Sequence, residues 1–508
     1  MGEQKSRLAR AVEDALSVDT FGGRVQVRWE VGAPATPFGQ LAFFIEFLRV
    51  SGLYQHWRDR APLIYTSGNA PLVGDVLGTW FLAALAGHDR YAHVSSIRHD
   101  GVSPGLLGMN KVVSEDALRR ALLKIDSDAG ARWQRDSLLH TLAPLLTRGW
   151  VLDIDTTVKP LYGHQEGAVV GFNPHKPGRP SHSYHSYLMA GTRLVLDVDV
   201  HAGNESHSDH TAPGLHALLD RLAPTQLPKL VRGDAGFGNE PMMQQLEQRQ
   251  QPYLFKLRST ANVKRHIEKC LWRKEWQDAG QGWFGVDGEL QLMGWTRTRR
   301  VVVLRRLLRD EVALSTPIED VNFSLAFVES DAPLQRYEYA VLITDLPHDI
   351  PALAQLYRDR ADCENNFDEL KNQWGWGGFT THDLHRCQLS ARHVALVYNW
   401  WSLFSMLADP SQRREAISSR PLLLHSVARQ TQHAGQTALS VLSTHAEHKK
   451  VAGWLSEIHG LLCEIKRSAE QLKELALWPR IVDLLVARLT ATKRFLLLPQ
   501  SLQLPLVT

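Results

Sequence analysis

The chain has 508 residues, of which 44% are hydrophobic and 22% charged, enough apolar material for more than one core and too much for a disordered chain. Lysine and arginine exceed the acids by only three, so net charge alone does not mark a nucleic-acid binder, but basic residues crowd between Lys256 and Arg309. The four scattered cysteines argue against a disulfide framework or a cysteine zinc site, and no apolar run is long enough for a signal peptide or a membrane span, so a cytoplasmic protein is expected.

Residues 1–148 read as mostly helical, with helices expected at 38–50, 71–87, 114–125 and 129–146 after an extended piece near 24–31. Ser114 is the expected N-cap of the third, and Arg119 and Arg120 give that helix a basic edge suited to phosphates. From 149 the texture changes to short apolar strands, WVLDIDTT, SYLMAG, RLVLDVDVHAG, KLVRGDAGF and PYLFKLR, with helices expected at 213–223 and 239–250. This pattern predicts a mixed α/β domain. Residues 258–337 form a basic, strand-rich segment holding Trp272, Trp276, Trp283 and Trp295, an interleaving that suits stacking on unpaired bases and equally suits a small β core. A long amphipathic helix is expected over 350–376, followed by the glycine-broken turn WGWGGF and a helix at 389–408 that is apolar on nearly all sides. Further helices are expected at 418–431, 446–468 and 477–495.

Three places in this pattern carry chemistry. Asp153 and Asp155 share one face of a strand type that normally avoids aspartate, and Asp234 follows a strand directly among glycines that let a ligand approach the backbone. Strand ends of open α/β sheets are where ligands usually bind. On the 350–376 helix, Tyr357, Arg360, Glu364 and Lys371 fall at roughly 0°, 300°, 340° and 320° around the axis, one narrow stripe bordering the apolar face. Tyr357 and Lys371 lie about 21 Å apart along such a helix, so the stripe suits a long polyanion better than a small ligand. The segment GFNPHKPGRPSHSYHSY, with His175, His182 and His185, and the nearby His201, His207 and His210, matches no standard zinc spacing and reads as a basic substrate-contacting loop. Carboxylates from two strand ends and a neighbouring helix form an oxygen-only set suited to Mg²⁺ or Mn²⁺.

The spacing Tyr357, Arg360, Glu364, Lys371, with LDIDTT, LYGHQEGAVVGFNPHKPGRPSH and VRGDAGFG, resembles the DDE transposases of bacterial insertion sequences, in particular the group with the Tyr-Arg-Glu-Lys signature. The resemblance covers about 149–400. It implies an RNase H-like core with Asp155, Asp234 and Glu364 as the catalytic, metal-binding triad for two Mg²⁺ or Mn²⁺ ions, with Asp155 preferred over Asp153 because it precedes Thr156 and Thr157. It also implies phosphate contacts from Tyr357, Arg360 and Lys371, and an aromatic, Trp276 or Trp283, that holds a flipped base at a hairpin end. The implied organisation is a helical DNA-binding region at 1–148, catalytic core at 149–257 and 338–408, a β-rich insertion at 258–337 and a helical region at 409–508. The partners implied are the inverted ends of the element and target DNA, bound by a homodimer, with the protein associated with the bacterial nucleoid when on DNA. A domesticated DNA-binding protein and a metal-dependent nuclease that cannot join strands are the competing readings.

Overall fold

The computed structural model describes residues 16–27, 34–173, 176–205, 208–273, 275–308, 327–328, 336–379, 381–442, 446–472, 476–492 and 502. It opens on an exposed antiparallel hairpin, β1 (Leu16–Thr20) and β2 (Gly23–Val27), reaching into the region expected to be extended. After β3 (Ala35–Thr36) come α1 (Leu41–Ser51), α2 (Leu53–Asp59), α3 (Val73–Leu85), α4 (Glu115–Leu123) and α5 (Ser127–Leu146), close to the expected helices. Ser114 caps α4 as anticipated, its hydroxyl accepting from the Ala117 amide at 3.2 Å. Ser114→Ala should therefore cost about 1 kcal/mol of stability. Urea unfolding measures this, and an unchanged midpoint would mean that water satisfies the amide equally well.

The strands are β4 (Val151–Pro160), β5 (Val169–Val170), β6 (Pro180–Met189), β7 (Leu194–Ala202), β8 (Leu230–Gly233), β9 (Tyr253–Lys256), β10 (Gln277–Gly280), β11 (Trp283–Leu290), β12 (Arg299–Leu307), β13 (Phe327–Val328) and β14 (Arg336–Thr344). They form one mixed sheet in the order β10-β11-β12-β14-β9-β8-β4-β6-β5, with β7 also on β6 and β13 also on β14. Within it β4, β8 and β9 are parallel neighbours, while β4, β6 and β7 run antiparallel. Helices α6 (Ser208–Asp220) and α7 (Glu240–Gln248) make the crossovers that parallel pairing requires. The basic, tryptophan-bearing segment is continuous with this sheet, because β14 pairs with β12 on one side and with β9 on the other. It also contains a helix, α8 (Ala261–Leu271), and its residues 274, 309–326 and 329–335 lie outside the described residues.

The expected helix over 350–376 is broken. It forms α9 (Ile350–Arg358), one 3₁₀ turn (Asp359–Ala361) and α10 (Asp362–Gln373). The break has a visible cause: the buried Arg232 guanidinium on β8 donates to the Leu356 carbonyl, drawing it out of the helical ladder. After α10, α11 (Leu384–Ala408) is buried along nearly its whole length, as its all-round apolar pattern requires. It packs against β7, α3 and α5.

The second correction falls at 418–431. Helix α12 (Ala416–Leu423) is short, and the chain then turns into an antiparallel hairpin, β15 (Ala428–His433) and β16 (Gln436–Val441), which pairs with β3. The two turn residues, Ala434 and Gly435, have φ of 48° and 77°, the left-handed pair that a tight two-residue hairpin turn demands. Helices α13 (His448–Leu472) and α14 (Trp478–Ala491) close the described chain, packing on α11 and α1. The helices of both ends thus share one core with the sheet. No helix among the described residues is long and apolar enough to cross a membrane.

Candidate active site

Parallel pairing of β4 with β8 runs from Val151 opposite Leu230 to Ile154 opposite Gly233. The next step along both strands brings Asp155 beside Asp234, where neighbouring strands lie about 4.8 Å apart. There β8 ends in a tight turn: Asp234 Oδ1 accepts from the Gly236 amide at 2.8 Å. Gly233 is required at this bend, since a Cβ there would meet the Phe237 ring at 2.7 Å.

The α9–α10 segment crosses this point and delivers its polar stripe to the same place. Asp155, Asp234, Tyr357, Arg360, Glu364 and Lys371 all line one cavity of about 870 Å³. Arg360 Nη2 donates to Asp155 Oδ2 at 2.7 Å, and both side chains are nearly inaccessible. Lys371 Nζ donates to Thr157 Oγ1, two residues along the same strand face as Asp155. Burial pushes the Asp155 carboxyl up to about 7, and Asp234 and Glu364 add repulsion, against the lowering effects of Arg360 and the Thr156 amide. Burial likewise raises the Tyr357 phenol and lowers the Lys371 ammonium.

Three carboxylates facing one cavity, with the innermost held toward its neutral form partly by the other two, fit an oxygen-seeking divalent cation. They are not pinched to a point. Among the described residues, the one group of three ligating side chains with all ligand atoms within 4.8 Å is Glu46, His459 and Cys463, between α1 and α13 and away from the cavity lining.

Other acids in the strands have structural partners. Asp153 makes a two-pronged pair with Arg232, at 2.6 and 2.7 Å, and both are fully buried. Asp197 and Asp199 on β7 hold Arg135 of α5 and Arg392 of α11, which ties two helices to the sheet. Of the two aspartates in LDIDTT, only Asp155 lines the cavity.

The structure does not bring every candidate to this cavity. Arg119 and Arg120 are exposed on α4; Arg119 pairs with Asp116 at 3.7 Å and lies over Tyr91. Trp276 is stacked by Arg305 at 4.0 Å and Trp283 by Arg306 at 4.9 Å, and neither ring lines the cavity. Trp295 too has an arginine, Arg299, over its ring at 5.4 Å, but with Met293 it lines an adjoining cavity of about 500 Å³ that shares Ala235, Gly236 and Arg258 with the first. His182 and His185 bond to the carbonyls of Glu166 and Glu205, while His201 and His210 approach the Glu205 carboxylate. His175 and His207 lie outside the described residues. Sequence reading missed Lys159 and noted Lys256 and Arg258 only as part of the basic cluster; all three line the acid cavity. For Lys159 a signal existed, because Asp155, Thr157 and Lys159 alternate on one strand face.

No curated protein matches the chain. Among solved structures, the cryo-EM structure of a piggyBac transposase synaptic complex with hairpin DNA is similar, at 10% identity and a TM-score of 0.37, covering 90% of this chain and 88% of that one. The family model for transposase DDE domain group 1 matches residues 72–461, which takes in both strand-end aspartates, the basic strand-rich segment and the helix that carries Glu364. Matched over most of its length, the chain belongs to the DDE transposases and is a metal-dependent enzyme of DNA strand cleavage and transfer.

Proposed function

We propose that Asp155, Asp234 and Glu364 form the metal-binding catalytic triad of an RNase H-like core, and that the enzyme moves its element by cut-and-paste through hairpinned ends. The observation that carries this reading is the convergence of all three acids with Tyr357, Arg360 and Lys371 on one cavity. The strand order β7-β6-β4-β8-β9, an antiparallel meander continued by two parallel strands, supports the RNase H-like assignment. Residues 149–257 and 338–408 then make the core around the 258–337 insertion, flanked by helical regions at 1–148 and 409–508. Concerted action on two inverted ends favours a homodimer on DNA.

Two Mg²⁺ or Mn²⁺ ions held by these carboxylates would supply Lewis acidity to the attacking and leaving oxygens of an in-line displacement at phosphorus. The chain's own groups position the substrate. Arg360 fixes Asp155 through Nη2 and has a buried, unpartnered Nε left to donate to a phosphate. Lys371 and Tyr357 add two further donors along the DNA path. In this reading Trp295, rather than Trp276 or Trp283, stacks on the displaced base, because it lines the adjoining cavity beside Asp234's loop. Trp295→Ala should weaken binding of hairpin DNA by about 1–3 kcal/mol and leave plain duplex binding nearly unchanged. Equal losses on both substrates would return the ring to a packing role.

The route is tested by incubating the enzyme and Mg²⁺ with end-labelled duplexes from the flanks of its coding sequence and separating products on a denaturing gel. Hairpinned element ends that later reopen and join target DNA are expected. Blunt double-strand breaks with no hairpin would overturn the hairpin route.

A further inference from the structure

The cavity holds a second polar cluster that the triad does not use. Lys159 lies on the same face of β4 as Asp155 and Thr157, two alternations beyond Asp155. Lys159 lines the cavity, and its ammonium has no hydrogen bond or ion pair among the described residues. The other lining cations are engaged: Arg360 with Asp155, Lys371 with Thr157, Arg258 with the Ala235 carbonyl, and Lys256 with a further partner. Asp89, the fourth acid of the lining, pairs with His93 at 3.1 Å. Burial pulls the Lys159 ammonium down to about 8, against Cys387 and Asp89, which favour its charged form.

Beside Lys159 is Tyr184 of β6, another residue of the cavity lining. Its hydroxyl is buried and has no hydrogen-bond partner among the described residues. The two groups share one spot, because a Cβ placed on Gly377 would lie 2.6 Å from Lys159 Cδ, 3.3 Å from its Nζ and 3.0 Å from Tyr184 Oη. Gly377, with φ of 78°, lets these two side chains pack together against the turn where a Cβ would not fit, which gives the WGWGGF turn a purpose beyond ending α10. A half-buried ammonium beside a buried hydroxyl that lacks a partner is costly to keep unless an anion completes them.

We propose that Lys159 and Tyr184 form a phosphate subsite for the DNA strand bound across the triad, an inference that rests on the catalytic reading of this cavity. Four residues of extended strand span about 14 Å, and because the phosphates of a duplex strand wind around the helix axis as well as along it, that separation corresponds to a phosphate only a few nucleotides from the cleaved bond. The subsite therefore takes a nearby backbone phosphate of the bound strand and sets how the end is registered on the acids.

The test uses duplexes from the flanks of the coding sequence, each with one methylphosphonate at successive positions, bound in Ca²⁺ so that cleavage does not intervene. Lys159→Met should bind about tenfold more weakly, and its slope of log affinity against log salt should shrink by about 0.9, the loss of one phosphate contact. One methylphosphonate at a single position within a few nucleotides of the bond should weaken the wild type similarly and have no further effect on Lys159→Met, while Lys159→Arg restores most of the affinity. An unchanged salt slope, or variant and methylphosphonate effects that simply add, overturns the subsite. If Lys159→Met does not fold, the scan on wild type decides, since no sensitive phosphate in that region also overturns it. A wrong triad shows separately, as cleavage that survives Glu364→Gln.

Discussion

Glu364→Gln removes DNA strand cleavage, by a factor on the order of 10³ or more, while the protein stays folded and binds transposon ends within a few-fold of wild type. The expectation follows from how Glu364 is held. It projects from α10 at the exposed rim of the cavity and makes no hydrogen bond or ion pair with any described residue, so no attractive contact of the fold depends on its charge. An isosteric amide should leave the thermal midpoint where it was. A single-turnover cleavage assay beside a melting curve separates the outcomes: retained cleavage would remove Glu364 from the triad, and a large fall in midpoint would give it a structural role instead.

Asp155→Asn should abolish cleavage as well, but with a different stability signature. The folded state raises the Asp155 carboxyl from 3.8 to about 7, so it binds the proton more tightly than the unfolded chain does. That contribution to stability is full below the unfolded value and is lost as pH rises toward about 7. Unfolding measured across that window should show a declining component in the wild type that is absent from Asp155→Asn.

The stripe of Tyr357, Arg360, Glu364 and Lys371 was legible because its spacing is local, and all four reach one cavity even though the helix is not continuous. The break was not legible, since its cause is a guanidinium from β8 whose reach depends on the β4–β8 register. The same limit applies to Tyr184, which meets Lys159 only through the pairing of β6 with β4. It also applies to Trp295, one of four tryptophans whose sequence surroundings are alike. The β15–β16 hairpin was more accessible: the Ala434-Gly435 turn between alternating residues is a local signal that helical periodicity masked. Acids inside strands were ambiguous, because Asp153, Asp155, Asp197 and Asp199 look the same until their partners are known.

Asp153→Asn tests that distinction directly, and its effect should be the reverse of that at Glu364: stability collapses first and activity follows. The Asp153–Arg232 pair is sealed in the sheet, both side chains at most 2% exposed, so removing one charge strands the other without water. Breaking such a pair costs about 3–5 kcal/mol, a large share of the stability of a typical domain. The pair also has a positional task, because Arg232 holds the Leu356 carbonyl and through it the 3₁₀ turn that presents Arg360 and Glu364. Replacing both partners, as Asp153→Leu with Arg232→Met, should recover much of the stability, since a matched apolar pair avoids the stranded charge. Cleavage should not recover with it, because the double variant lacks the donor that breaks the helix at Leu356. A double variant that regains full cleavage would show that the turn forms without Arg232, and would reduce the pair to a packing element of the sheet.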